Sequence, residues 1–139
     1  MSDNPLADEV WRRMAAFVMD NRDSWKRAVV EQAGMPFSRI RILKRLDRQP
    51  MSVSQVAHAA TMDPPAATVA VNDLEARGLV VRETDPSNRR SKVVSLTNAG
   101  RAIVRRIDAV DDPAPELLAS LDDTELKGLH ALMEMLAPK

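Results

Sequence analysis

Arg89 and Arg90 stand side by side in the polar stretch Asp85-Pro86-Ser87-Asn88-Arg89-Arg90-Ser91-Lys92. Adjacent guanidiniums on a projecting loop suit one chemistry: gripping phosphates or entering a narrow, electronegative groove of a polyanion. Successive residues of an extended chain point to opposite sides. Arg90 is therefore expected to enter the minor groove of a duplex, with Arg89 folded back to Asp85 as a brace. Lys92, Arg82 and Ser87 are candidate phosphate contacts. From Arg77 to Arg106 the basic residues are Arg77, Arg82, Arg89, Arg90, Lys92, Arg101, Arg105 and Arg106, opposed only by Glu83 and Asp85. From Asp108 to Glu125 every charge is acidic. The chain has 20 basic and 20 acidic residues, so its basic footprint is local within a neutral whole.

Several elements must hold that tip in place. Two β-branched runs, Leu79 to Thr84 and Lys92 to Thr97, predict a β-hairpin with a long charged loop. Ahead of it, Asp63 is a good N-cap and Pro64 suits a first helical position. That helix runs to about Arg77, and Gly78 ends it. With Ala67, Ala70, Val71 and Leu74 inward, Pro65, Ala66, Thr68, Val69, Asn72 and Asp73 face outward. Ala66, Thr68 and Val69 offer contacts to thymine methyls, and Thr68 and Asn72 offer hydrogen bonds. An A·T-leaning target is expected, with much of the affinity in the hairpin. Asp73 opposes phosphates unless a neighbouring Arg or Lys offsets it.

Upstream, Phe37 to Arg48 reads as a helix with Ile40, Leu43 and Leu46 inward. Ser52 or Ser54 starts a short helix carrying Val56, Ala57 and Ala60, and Thr61-Met62 is a turn. Two short helices joined by a tight turn and followed by a hairpin make a winged helix-turn-helix, with Pro64 to Arg77 as the recognition helix. Ser38, Arg39, Ser54 and Gln55 lie near helix starts and are candidates for the DNA backbone, although capping also explains the serines.

Both ends of the chain are helical and apolar-striped. Pro5 to Ala33 reads as one long helix carrying Leu6, Val10, Trp11, Met14, Phe17, Val18, Trp25 and Val29, stopped by Gly34 and Pro36. After the hairpin, Thr97 caps a helix from Asn98 to about Val110, with Ala99, Ile103 and Ile107 on one side. Pro113 and Pro115 break it. Glu116 to Leu121 adds a short segment. Asp122 to Glu125 is a capping box for a last helix bearing Leu126, Leu129, Leu132, Met133 and Leu136. The expected fold is mainly α with a small β-hairpin. Residues 1–36 form an N-terminal dimerisation helix, 37–97 the winged helix-turn-helix, and 98–139 C-terminal dimerisation helices. The terminal helices of two chains interlock in a homodimer.

Other classes are excluded. At 45% hydrophobic and 29% charged, the chain can build a core. It has no cysteine, which removes disulfides and thiolate metal sites. No apolar run approaches a membrane span, and Met1 to Asp8 is not a signal peptide, so a cytoplasmic location is expected. His58 and His130 are lone histidines without partners at metal spacing. No nucleophile-base set, phosphate loop or metal cluster appears. The chain is read as having no catalytic residue, metal or cofactor, and not as an enzyme.

The wing motif Asp85-x-x-Asn88-Arg89-Arg90-x-Lys92-x-Val94-x-Leu96-Thr97-x-x-Gly100 closely resembles that of the MarR family of transcription regulators. Leu74-Glu75-Ala76-Arg77-Gly78-Leu79-Val80 is similar to the family's junction between recognition helix and wing. The resemblance implies a dimeric winged-helix repressor or activator, read here as a repressor, on a pseudo-palindromic operator in double-stranded DNA. A small aromatic, phenolic or lipophilic effector relieves binding in many members. Family members commonly carry a basic residue near Val69 and Asp73, where this chain has an apolar and an acidic one. The effector pocket is expected where the first, second and fifth helices meet. Trp11, Met14, Phe17, Met35 and Phe37 would form its walls, and Arg12, Arg13 or Arg41 would meet a carboxylate. The alternative is a winged-helix protein-interaction module with weak or no DNA binding, which the acidic Asp73 motivates.

Overall fold

The computed structural model describes residues 3–137, so the start of the Met1–Asp8 segment lies outside the described residues. The helices are α1 (Pro5–Asp20), α2 (Asp23–Ala33), α3 (Phe37–Arg48), α4 (Val53–Ala59) and α5 (Pro64–Ala76). The hairpin β1 (Val80–Asp85) and β2 (Asn88–Leu96) follows, then α6 (Asn98–Asp108), α7 (Glu116–Ala119) and α8 (Asp123–Leu136). The chain is thus mainly helical with one antiparallel hairpin, as its patterning predicts.

One core organises the middle of the chain. Ile40, Ile42, Leu43 and Leu46 of α3 are buried, as are Val56 of α4 and Ala70, Val71 and Leu74 of α5. Val80 and Val94 close the core from the hairpin, Val104 and Ile107 from α6, and Val29 from α2. Burial of such side chains contributes about 1.5–3 kcal/mol each, and this fixes the angle between α5 and the hairpin. The caps act locally. Ser52 and Gln55 form a reciprocal capping box at α4. The Asp63 carboxylate accepts from the Ala66 backbone N–H at 2.8 Å, which starts α5. Asp122 and Glu125 do for α8 what Ser52 and Gln55 do for α4.

The hairpin is welded to α5 and α6 at Leu79. The Leu79 carbonyl accepts from the Thr97 backbone N–H at 3.0 Å. Thr97 Oγ1 donates to the Gly78 carbonyl at 2.7 Å and accepts from the Gly100 N–H at 3.1 Å. A Cβ at Gly100 would lie 2.1 Å from the Leu79 carbonyl oxygen, so only glycine fits. Gly78, with φ 77°, takes the left-handed turn that ends the recognition helix. Met51 extends the hairpin from its other edge by exchanging backbone hydrogen bonds with Val94 at 3.0 and 2.7 Å.

Three expectations are corrected. The Pro5–Ala33 pattern is two helices, not one. Asn21 ends α1: its side-chain amide donates to the Phe17 carbonyl at 2.7 Å and its backbone N–H to Val18, and this local bonding outcompetes the continuous apolar stripe. The hairpin has no long loop, because the strands run on to a two-residue turn at Pro86-Ser87. The buried face of α6 is Gly100, Val104 and Ile107, with Ile103 half-buried and Ala99 exposed, since the Leu79 carbonyl draws Gly100 inward.

Neither α1 nor α8 contains a buried residue. Leu6, Trp11, Leu132 and Leu136 are 70%, 69%, 58% and 68% exposed, so both terminal stripes lack cover within the described chain. No helix among the described residues is long and apolar enough to cross a membrane.

Candidate nucleic-acid interface

The wing is built by an irregular register. Val80 pairs with Leu96 and Thr84 with Lys92, but Asp85 pairs with Asn88. One step along β1 therefore matches four along β2, and Arg89, Arg90 and Ser91 have no partner on β1. Such bulges twist a strand and re-aim its side chains. Here the bulge holds both arginines exposed at the end of the hairpin. Neither guanidinium makes a hydrogen bond or ion pair among the described residues. The Arg90 backbone N–H donates to Asn88 Oδ1 at 3.1 Å, which fixes the main chain beneath it.

The expected Asp85–Arg89 brace does not form. The Asp85 carboxylate instead accepts from the Ser87 backbone N–H at 2.9 Å and from the Ser87 hydroxyl at 2.8 Å. These bonds, the backbone one foremost, hold its carboxyl below the ordinary 3.8. Asp85 therefore shapes the turn. Ser87, expected at a phosphate, spends its hydroxyl proton on Asp85. Lys92 donates to Thr84 Oγ1 at 3.2 Å across the strands.

The outward face of α5 matches expectation in position. Pro65, Thr68, Val69 and Asn72 are exposed and Ala66 is half-buried. Their polar atoms are already engaged. The Thr68 hydroxyl donates to the Pro64 carbonyl at 3.1 Å. Asn72 Oδ1 accepts from Arg82, which also reaches Glu75 at 3.5 Å. Arg82 is thereby bound to the recognition helix and not free toward a phosphate.

Asp73 has the cationic neighbours that its position demands. Arg39 Nε donates to Asp73 Oδ2 at 3.1 Å, and Arg77 Nε donates to Oδ1 at 3.1 Å. The hydrogen bond from Arg39, then that from Arg77, holds the Asp73 carboxyl below 3.8. Arg39, expected on the DNA backbone, is thus committed to an acid, and its Nη1 also donates to Ser38 Oγ at 3.3 Å. Sequence spacing shows the Asp73–Arg77 pair one turn apart. It cannot show Arg39, which lies 34 residues away. At α4, Ser54 is exposed, while Gln55 Oε1 accepts from the Ser52 N–H at 2.9 Å as part of the cap.

The expected effector residues do not converge. Met35 is 5% exposed within the core. Trp11 and Met14 line an apolar groove of about 650 Å³ with Leu6, Val10, Met133 and Leu136, between the terminal helices. Met14 and Phe17 line a second cleft beside Pro113 and Leu129. Arg12 is exposed on α1. Phe37 and Arg41 alone line the cleft of about 610 Å³ between α2 and α3, which also holds Trp25, Arg22, Lys26 and Arg45. Trp25 and Phe37 meet edge to face with centroids 5.8 Å apart. Arg22 lies 3.8 Å over the Trp25 ring, and Lys26 lies 5.0 Å over Phe37. Trp25 was readable only as part of an apolar stripe. The bend at Asn21 gives it this position.

A helix-turn-helix with an exposed recognition helix and a basic wing defines a winged helix-turn-helix protein. Residues 33–91 match the model of the MarR family. The family's members are transcriptional regulators, not enzymes. A Thauera aromatica protein assigned to transcriptional regulation of the hcr operon is 34% identical over 87 residues, covering 62% of this chain and 52% of that one. The chain thus spans about half the length of that relative. The apo crystal structure of MarR from E. coli superposes with a TM-score of 0.74 at 21% identity, covering 91% of this chain and 96% of that one. Sco3205 of Streptomyces coelicolor, a MarR family regulator solved in complex with DNA, gives a TM-score of 0.62 at 24% identity, covering 98% and 88%. At these identities the two structures are likenesses of fold.

Proposed function

We propose that the protein is a homodimeric, sequence-specific regulator of transcription that binds double-stranded DNA and is released by a small aromatic effector. The observation that carries DNA binding is the bulged wing tip, where Arg89 and Arg90 stand exposed with no partner among the described residues. An unpaired guanidinium at the end of a projecting hairpin suits insertion into a minor groove. The fold shared with a regulator solved on DNA supports the same reading. The exposed, apolar stripes of α1 and α8 support the dimer, since each needs a second surface.

The α2–α3 cleft supports the effector. Trp25 and Phe37 supply ring faces and edges, while Lys26, Arg41 and Arg45 supply positive charge for an aromatic acid. Release of DNA then corresponds to repression in the absence of effector. The test is a gel-shift titration against the gene's own upstream region at several salt concentrations. Affinity must fall steeply with salt and fall again on adding an aromatic carboxylate such as benzoate. Salt-insensitive or absent binding would favour the protein-interaction module, a reading motivated by the commitment of Arg39, Arg77 and Arg82 to groups on α5.

A further inference from the structure

Three arginines flank the recognition helix, and each is turned onto it. Arg39 from α3 and Arg77 from the end of α5 each give their Nε to one oxygen of Asp73, both at 3.1 Å. Arg82 from β1 is held by Asn72 and Glu75. The Asp73 side chain is 33% exposed, so this acid sits on the outward flank and not in the core. The wing arginines Arg89 and Arg90 have no such counter-charge among the described residues. The two basic regions of the interface therefore differ in kind: one is neutralised from within, the other open.

A phosphate and a carboxylate compete for the same guanidinium donors. Asp73 takes from Arg39 and Arg77 the Nε donors that a phosphate would otherwise compete for. The same two hydrogen bonds hold its carboxyl below the ordinary range, so it remains ionised throughout neutral conditions. We infer that Asp73 is an internal counter-anion that withholds Arg39 and Arg77 from DNA phosphates. Binding to arbitrary sequence depends on the number of phosphates neutralised. Withholding two arginines lowers that sequence-independent affinity and leaves it to the wing. The base-reading face of α5, at Pro65, Ala66, Thr68 and Val69, is unaffected. Asp73 thereby sets the ratio of specific to non-specific binding, a role distinct from contacting any base.

The inference rests on the proposed DNA binding, and one experiment separates the two. Wild type, Asp73→Asn, Asp73→Ala and the triple variant Asp73→Asn/Arg39→Gln/Arg77→Gln are titrated with a fluorescent random-sequence duplex across a salt series. Thermal unfolding confirms that each is folded. Both single variants should bind the random duplex more tightly at low salt. The dependence of log affinity on log salt should steepen by about 0.9 per arginine released, or about threefold more affinity lost per arginine between about 50 and 200 mM. The triple variant should return to the wild-type slope or below it. Salt-dependent binding by wild type with no gain in either single variant would overturn the inference and make Asp73 a support that aims the arginines at DNA. No salt-dependent binding by any folded variant would overturn DNA binding itself, and this inference with it.

Discussion

Asp85 and Asp73 are the two carboxylates on the interface whose ionisation the structure shifts, and both are stabilised in the charged form. Ser87 holds the first, and Arg39 with Arg77 holds the second. A carboxyl with a depressed folded pKa contributes stability that is present above its unfolded value and lost as pH falls through its folded one. Asp85→Asn should therefore lower the thermal midpoint slightly at neutral pH, and the gap should close as acid protonates Asp85 in wild type. A gap constant from neutral pH into acid would contradict the turn-shaping role. These partnerships were only partly legible in the sequence. Asp85 beside Ser87 and Asp73 four before Arg77 are local and visible. Charge and spacing pair Asp85 with Arg89, because nothing local marks the two-residue turn that brings the nearer Ser87 N–H and hydroxyl onto the acid. The Arg39–Asp73 pair needs the packing of α3 against α5 and has no local signal.

The elements themselves were more legible. The inward faces of α3, α4 and α5 follow from their periodicity, and the caps at Asp63, Ser52, Thr97 and Asp122 from residue type. Two features were hidden. Pro86-Ser87 lacks the Asn-Gly or Asp-Gly signature of a tight hairpin, so the tip reads as a long loop. The apolar stripe of the first helical region runs through Asn21 without a Gly or Pro to mark the break. At this scale Gly100 is the sharpest test. A methyl group there meets the Leu79 carbonyl, so Gly100→Ala must part α6 from the wing junction. The expected cost is about 1–3 kcal/mol of stability in chemical denaturation, with wing mobility increased in hydrogen exchange. An unchanged denaturation midpoint would contradict the close packing.

For the whole molecule, the uncovered stripes on α1 and α8 and the exposed wing make opposite demands. In the proposed function the stripes meet a second copy and the wing meets a duplex. Adjacent recognition helices in a proposed dimer must stand about 34 Å apart to enter successive major grooves on one face. Leu132, 58% exposed on α8, is placed to disrupt the first demand alone. Leu132→Glu should shift the protein toward monomer in light scattering while its circular dichroism stays native. Its DNA affinity should fall because one wing then acts without the other. A native dimer in that variant would remove the C-terminal helix from the interface.

In the proposed function, DNA affinity is anchored on the wing. It is tested most directly by comparing Arg90→Ala with wild type on a duplex carrying the gene's own upstream region across a salt series. The expected result is a loss of at least about tenfold in affinity, a shallower salt dependence, and an unchanged oligomeric state and melting temperature. Near-wild-type affinity and slope in a folded Arg90→Ala protein would contradict it and return the weight of binding to the recognition helix.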